Sequence, residues 1–368
     1  MERAVARIDY DAVRANCARL KAELATAELC AVVKADGYGH GADGCASAAL
    51  AGGATRLAVA TAGEAEQVGR RFQHVPLLMM GALTAEEVDA AISAGSEITV
   101  WREDFRRLVA DRARAHGHRA RLHVKYDSGM GRLGNPDPKE VLDLARACAE
   151  DPDLELTGIW THLATADELD STYFDEQLDR FDEVAGAVKA EHPQVIAHAA
   201  NSAAVLRDRR SHFDMARCGV AIYGLDPFQQ DPAEQDLRPA LTLRSNVADV
   251  KRFPAGAGAG YGRRWKAPVD TWVGVIPLGY GDGVRRALTN NADVLVGGRR
   301  HPLVGTVSMD NVTIDLGPET DVSPGDEAVL IGRQGEEEIL AEEIARRLDT
   351  INYEVTCAIS PRVPRRAA

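Results

Sequence analysis

AVVKADGYGHG, residues Ala31 to Gly41, carries an apolar, β-branched run straight into a lysine and a glycine-rich turn. Similar apolar runs occupy 29–35, 56–61, 76–81, 97–101, 121–127, 154–162, 195–202 and 215–224. Longer segments of helical period separate them, which is the pattern of βα units and a parallel sheet. Eight is the closure number of an α/β TIM (β/α)8 barrel, although an open doubly wound sheet also holds eight parallel strands. Lys34, Arg132, His162 and Arg217 all fall at or just after the ends of their runs, the distribution a TIM barrel predicts.

The chain of 368 residues exceeds one barrel of ordinary size, so a second domain is expected. From residue 236 the pattern changes to short strand-like runs parted by Gly, Pro, Asp and Asn, and the polar stretch DPFQQDPAEQDLRPA marks the boundary. The expected division is a barrel over 1–235 and a mostly β domain over 236–368, with the opening residues pairing with the β domain. One amphipathic helix is read over 341–348, and a last strand over 353–359.

A hydrophobic share of 45% supports a folded core. The net charge of -13 makes nucleic acid and anionic membrane surfaces poor partners. The six cysteines show no CxxC pair and no zinc-like spacing, so they read as reduced thiols without a metal. The opening MERAVARIDYDAVRANC has no apolar stretch of the kind a secretion signal needs, and a cytoplasmic location is expected.

A lysine delivered by a buried strand either reaches solvent at the strand end or is desolvated, which makes its amine nucleophilic and suited to Schiff-base chemistry. AVVKADGYGHG resembles the cofactor-lysine signature of the alanine racemases, fold-type III pyridoxal-phosphate enzymes, and the similarity extends over the whole chain. The resemblance implies that Lys34 carries pyridoxal 5'-phosphate as a Schiff base and that Tyr38 contacts its phosphate. Relatives often have alanine where this chain has Gly37.

The resemblance extends to KYDSGMGRLG, residues 125–134, where Arg132 is implied to position substrate and cofactor and Lys125 to buttress it, in many relatives as a carbamate. It places Asn201, Ser202, Gly219 and Val220 around the phosphate, Arg217 against the pyridine nitrogen, and His162 in a supporting network. In the second domain AGAGAGYGRRW lacks the G-x-G-x-x-G spacing of a dinucleotide loop. The family match instead implies that Tyr261 is the second catalytic base. Tyr353 would touch the cofactor, Met309 the substrate, and Tyr280 and Asp310 would support the pocket.

Racemisation removes a proton from one face of the α-carbon and returns it to the other, so two groups on opposite sides are economical. By resemblance they are Lys34 and Tyr261, acting on alanine, with serine as a secondary substrate and D-alanine supplying peptidoglycan. The family also implies a head-to-tail homodimer with a shared site; the sequence itself does not separate that from closure within one chain. A pyridoxal-phosphate decarboxylase of similar architecture would prefer an acid at the Arg217 position, and a non-catalytic cofactor carrier would lack the β domain.

Overall fold

The computed structural model describes residues 2–368. Two compact units divide the chain: one holds the opening residues to Ala12, Gly39–Gly41 and Tyr223–Ala368, the other Val13–Tyr38 and Ala42–Ile222.

After β1 (Ala4–Ile8), the second of these units contains an eight-stranded parallel sheet. Its strands are β2 (Glu28–Val32), β3 (Arg56–Val59), β4 (Leu77–Met79), β5 (Glu97–Val100), β6 (Ala120–Lys125), β7 (Leu154–Trp160), β8 (Ile196–His198) and β9 (Met215–Cys218). Six lie inside one of the eight apolar runs, and β2 and β6 each begin one residue before theirs. Neighbours pair in the order β8, β7, β6, β5, β4, β3, β2, β9. The two end strands then meet, Asp214 N donating to Ala197 O at 3.0 Å and Arg217 N to Ala200 O at 2.9 Å. These bonds close the barrel and remove the edges an open sheet would expose. Capping boxes start two of the outer helices, Thr61 with Glu64 on Ala62–Arg71 and Thr84 with Glu87 on Ala85–Ser93.

The other unit is mostly β. Its main sheet runs from Asp249–Phe253 through Thr271–Ile276, Val312–Gly317, Arg299–Val304, Asp293–Val296 and Glu327–Gln334 to β10 (Leu241–Asn246), β1 and Arg365–Ala367. Antiparallel pairing dominates, and β1 lies between β10 and the parallel strand Arg365–Ala367. Leu295, Val329 and Ile339 form a buried cluster onto which Ile344 of helix Ala341–Leu348 packs.

One expected element has the wrong type. The sequence pattern predicts a strand over 353–359, but Asn352–Cys357 is a helix. Asn352, Val355, Thr356 and Ile359 are the buried positions. That i, i+3, i+4, i+7 spacing is helical, and the polar Asn352 and Thr356 hide it from hydrophobicity alone. Among the described residues no helix is long and apolar enough to cross a membrane.

Candidate active site

Lys34 is half-buried and leads into a left-handed turn, with Ala35 and Asp36 at φ 51, ψ 48, Gly37 at φ 63, ψ 44 and Tyr38 at φ 53. A left-handed conformation costs an ordinary residue about 1–2 kcal/mol, so outside contacts must hold it. Glu64 supplies them. Its Oε1 accepts from Ala35 N at 2.7 Å, and its Oε2 accepts from Ala60 N at 2.9 Å and Thr61 N at 3.2 Å. Asp36 Oδ1 in turn accepts from Ala42 N at 2.9 Å. The lysine is thereby fixed to the start of the neighbouring helix.

Cations surround the mouth above it. Lys125, 2% exposed, sets its ammonium 4.1 Å from the centre of the Trp160 ring, and the Arg217 guanidinium lies 4.6 Å from the same ring. Burial, then the charges of Arg217, Arg132 and Lys34, push the Lys125 amine down to about 7, against an opposing pull from Asp127. His162 is held well below its usual range by burial and by the same cations, Arg217, Arg132, Lys125 and Lys34. Burial lowers even Arg217, to about 10, and it stays protonated near neutrality. The Asp127 carboxylate is committed to its own loop, accepting from Gly129 N at 3.1 Å, Met130 N at 2.7 Å, Gly131 N at 3.1 Å and Arg132 N at 3.1 Å. The Arg132 side chain is exposed at the end of that loop.

Arg217 is tied down on one side. Nη1 donates to His198 Nδ1 at 2.8 Å and His198 O at 3.1 Å; Nη2 reaches Thr161 O at 2.8 Å, Ala199 O at 3.1 Å and His162 Nδ1 at 3.3 Å. Of its five donors, only Nε–H has no protein partner among the described residues. Near it in sequence, Ser202 Oγ accepts from Gly219 N at 3.1 Å and Ala221 N at 3.3 Å. A Cβ on Gly219 would collide with the Tyr38 hydroxyl. Two hydroxyls and a glycine backbone therefore meet in a space that a larger residue would fill. Val220 is buried at the start of a 3-10 turn, and Asn201 caps helix Ser202–Arg207, its Oδ1 accepting from Ala204 N at 2.9 Å.

The candidates in the β unit gather on one rim. Thr306 Oγ1 donates to Tyr261 O at 2.7 Å, Tyr280 N to Ser308 O at 2.9 Å and Gly281 N to Met309 O at 2.9 Å. The side chains on this rim are open: Tyr261 is 74% exposed, Met309 51% and Tyr280 44%. Asp310 pairs with Arg362 at 2.7 Å. Tyr353 is half-buried on helix Asn352–Cys357.

Glu64, Trp160 and His198 are site residues that the sequence pattern does not single out. The capping-box spacing of Thr61 and Glu64 was a legible signal for the helix start, though not for the bond to Ala35. Alternation of Arg121, His123 and Lys125 along one strand was a signal that the barrel interior is polar.

The chain matches two family models, "Alanine racemase, N-terminal domain" over residues 8–227 and "Alanine racemase, C-terminal domain" over 240–367. It is 40% identical to an alanine racemase of Symbiobacterium thermophilum over 98% of this chain and 96% of the relative. A Thermobifida fusca alanine racemase is 42% identical over 98% and 97%. In structure it resembles the alanine racemase of the D-cycloserine-producing Streptomyces lavendulae, with a TM-score of 0.95 and 36% identity, covering 100% of this chain and 97% of that one.

Proposed function

The chain belongs to the alanine racemase family, and from that premise we propose that it interconverts L-alanine and D-alanine with pyridoxal 5'-phosphate held covalently by Lys34. The barrel mouth carries this reading. Lys34, Arg132 and Arg217 act on one region, while the opposing carboxylate of Asp127 is occupied by four backbone N–H groups. Such a field attracts a phosphate and an amino-acid carboxylate.

The residues present fit that cofactor. The Tyr38 and Ser202 hydroxyls beside Gly219 suit phosphate oxygens, with Asn201, Val220 and Tyr353 completing the binding set. The Nε–H of Arg217 suits a ring nitrogen that accepts a hydrogen bond. When bound, pyridoxal phosphate serves as an electron sink for charge left at the α-carbon. An arginine beside the ring nitrogen does not hand over a proton as an acid would, which weakens that sink and suppresses transamination.

Lys34 moves the proton on one face and Tyr261 on the other. His162 and Arg132 support the reacting groups at the barrel mouth. Arg132 orients the substrate carboxylate, Met309 bounds the substrate, and Lys125, Tyr280 and Asp310 support the pocket. The active form is a cytoplasmic homodimer, and its D-alanine supplies peptidoglycan.

Borohydride reduction followed by peptide mapping tests the assignment. Cofactor trapped on Lys34 is expected, and cofactor on any other lysine overturns it. Tyr261→Phe should lower kcat for racemisation by about a hundred- to ten-thousand-fold without disturbing cofactor attachment. Near-normal turnover would remove Tyr261 from its role.

A further inference from the structure

Barrel interiors are normally filled by Val, Ile and Leu. Here a line of buried polar side chains crosses the interior from β5 to β9. His123 Nε2 lies 3.0 Å from Glu97 Oε2, His123 Nδ1 lies 2.9 Å from His198 Nε2, and His198 Nδ1 lies 2.8 Å from Arg217 Nη1. All four residues are at most 3% exposed. Gly158 of β7 makes room, since a Cβ there would collide with His123 Nδ1.

The two ends give the line a direction. A guanidinium only donates and a carboxylate only accepts. His198 Nδ1 must therefore accept from Arg217, which leaves its Nε2–H to donate to His123 Nδ1. His123 then has its Nε2–H for Glu97. One assignment satisfies all three bonds, with both rings neutral and protonated at Nε2. The acceptor end is itself anchored: Arg56 Nη1 donates to the Glu97 oxygens at 3.0 and 2.9 Å, and Arg121 Nη1 lies 3.4 Å from Oε1. Burial raises the Glu97 carboxyl, but His123, Arg56 and Arg121 outweigh it and bring it to about 2.

A buried polar line of this length carries a desolvation cost that apolar side chains would avoid, so stability is a poor reason for it. We propose that Glu97, through His123 and His198, is a positioning residue for Arg217: the line holds the His198 Nδ1 lone pair against the guanidinium and so fixes the orientation in which Nε–H faces the reacting ring. The functional half of this proposal rests on the cofactor placement given above; the hydrogen-bond direction does not.

Two-bond 1H–15N spectra of the histidine-labelled holoenzyme read the direction. His123 and His198 should both be neutral Nε2–H forms between pH 6.5 and 8.5, in the field of Glu97, Arg56, Arg217 and Lys125. An Nδ1–H form or a doubly protonated ring at either position overturns the proposal, and this measurement needs no variant. In Glu97→Gln, Arg56 and Arg121 claim the amide oxygen and turn its NH2 toward His123, so His123 should shift to Nδ1–H wholly or in part. With Arg217 loosened, kcat for alanine should fall on the order of tenfold to a hundredfold while KM changes little. A folded Glu97→Gln enzyme with wild-type tautomers and wild-type kcat, whatever its melting temperature, also overturns the proposal. Wild-type enzyme that shows the Nε2–H forms yet does not racemise alanine would instead refute the function proposed above, and with it the link from Arg217 to the reaction.

Discussion

Lys125 is the residue whose surroundings most oppose its own charge. Burial opposes its ammonium and Arg217, Arg132 and Lys34 repel it, which brings its amine to about 7. At pH 8 the nitrogen is therefore mostly neutral, with a lone pair available to carbon dioxide. Forming the N–C bond and releasing one proton yields a carbamate, a negative group that this pocket favours and that Arg132 can meet. Enzyme equilibrated with 13C-bicarbonate should show a carbamate carbon resonance that grows as pH rises through 7 and is absent from Lys125→Met. The variant should also lose roughly tenfold in kcat as Arg132 loses its support; a wild-type spectrum without the resonance defeats the assignment. The sign for stability follows from the same shift. Between about 7 and the ordinary lysine value near 10.5, the unfolded chain binds the extra proton, so this group's contribution to stability rises with pH across that interval. The motif around Lys125 was legible in sequence. Its depressed pKa was not, because that arises from cations brought together by different strands.

At the scale of elements, the barrel strands could be read because each is a short β-branched run buried on both faces, a signal that survives without knowledge of neighbours. Helix Asn352–Cys357 could not, because its inward face is partly polar. Asn352 Nδ2 donates to Asp226 O at 2.8 Å and to Glu342 Oε1 at 2.7 Å, while its backbone N reaches Gln229 Oε1 at 2.8 Å. Burial pushes both the Asp226 and Glu342 carboxyls up, so the donors that Asn352 supplies hold an otherwise costly acid in place. Asn352→Ala should destabilise the protein by about 1–3 kcal/mol, the cost of stranding buried partners. A urea unfolding midpoint unchanged from wild type would show that these bonds contribute nothing. The strained turn after Lys34 illustrates the same limit: its glycines were visible, but the reach of Glu64 to Ala35 depends on strands β2 and β3 lying side by side.

At the scale of the molecule, the proposed role of Tyr261 as second base calls for a cover over the rim on which it stands. Tyr261, Met309 and Tyr280 stand exposed on the rim of the β unit, where water reaches each side chain. A second copy of the chain, laying its barrel mouth over this rim, would remove that water and bring Lys34 of one protomer to Tyr261 of the other. This arrangement makes a quantitative prediction. A Lys34→Ala dimer and a Tyr261→Phe dimer should each be nearly inactive, since every site would lack one of the two proposed bases. When the two are dissociated together and reassembled at random, half the dimers are mixed. If sites are shared, a mixed dimer has one site with both defects and one with neither, so the mixture should recover about a quarter of wild-type activity. If each site instead draws both bases from one chain, every site in every dimer retains a defect and mixing restores nothing. Racemisation measured before and after reassembly separates the two, with the proportion of mixed dimers checked by native mass spectrometry on a tagged protomer.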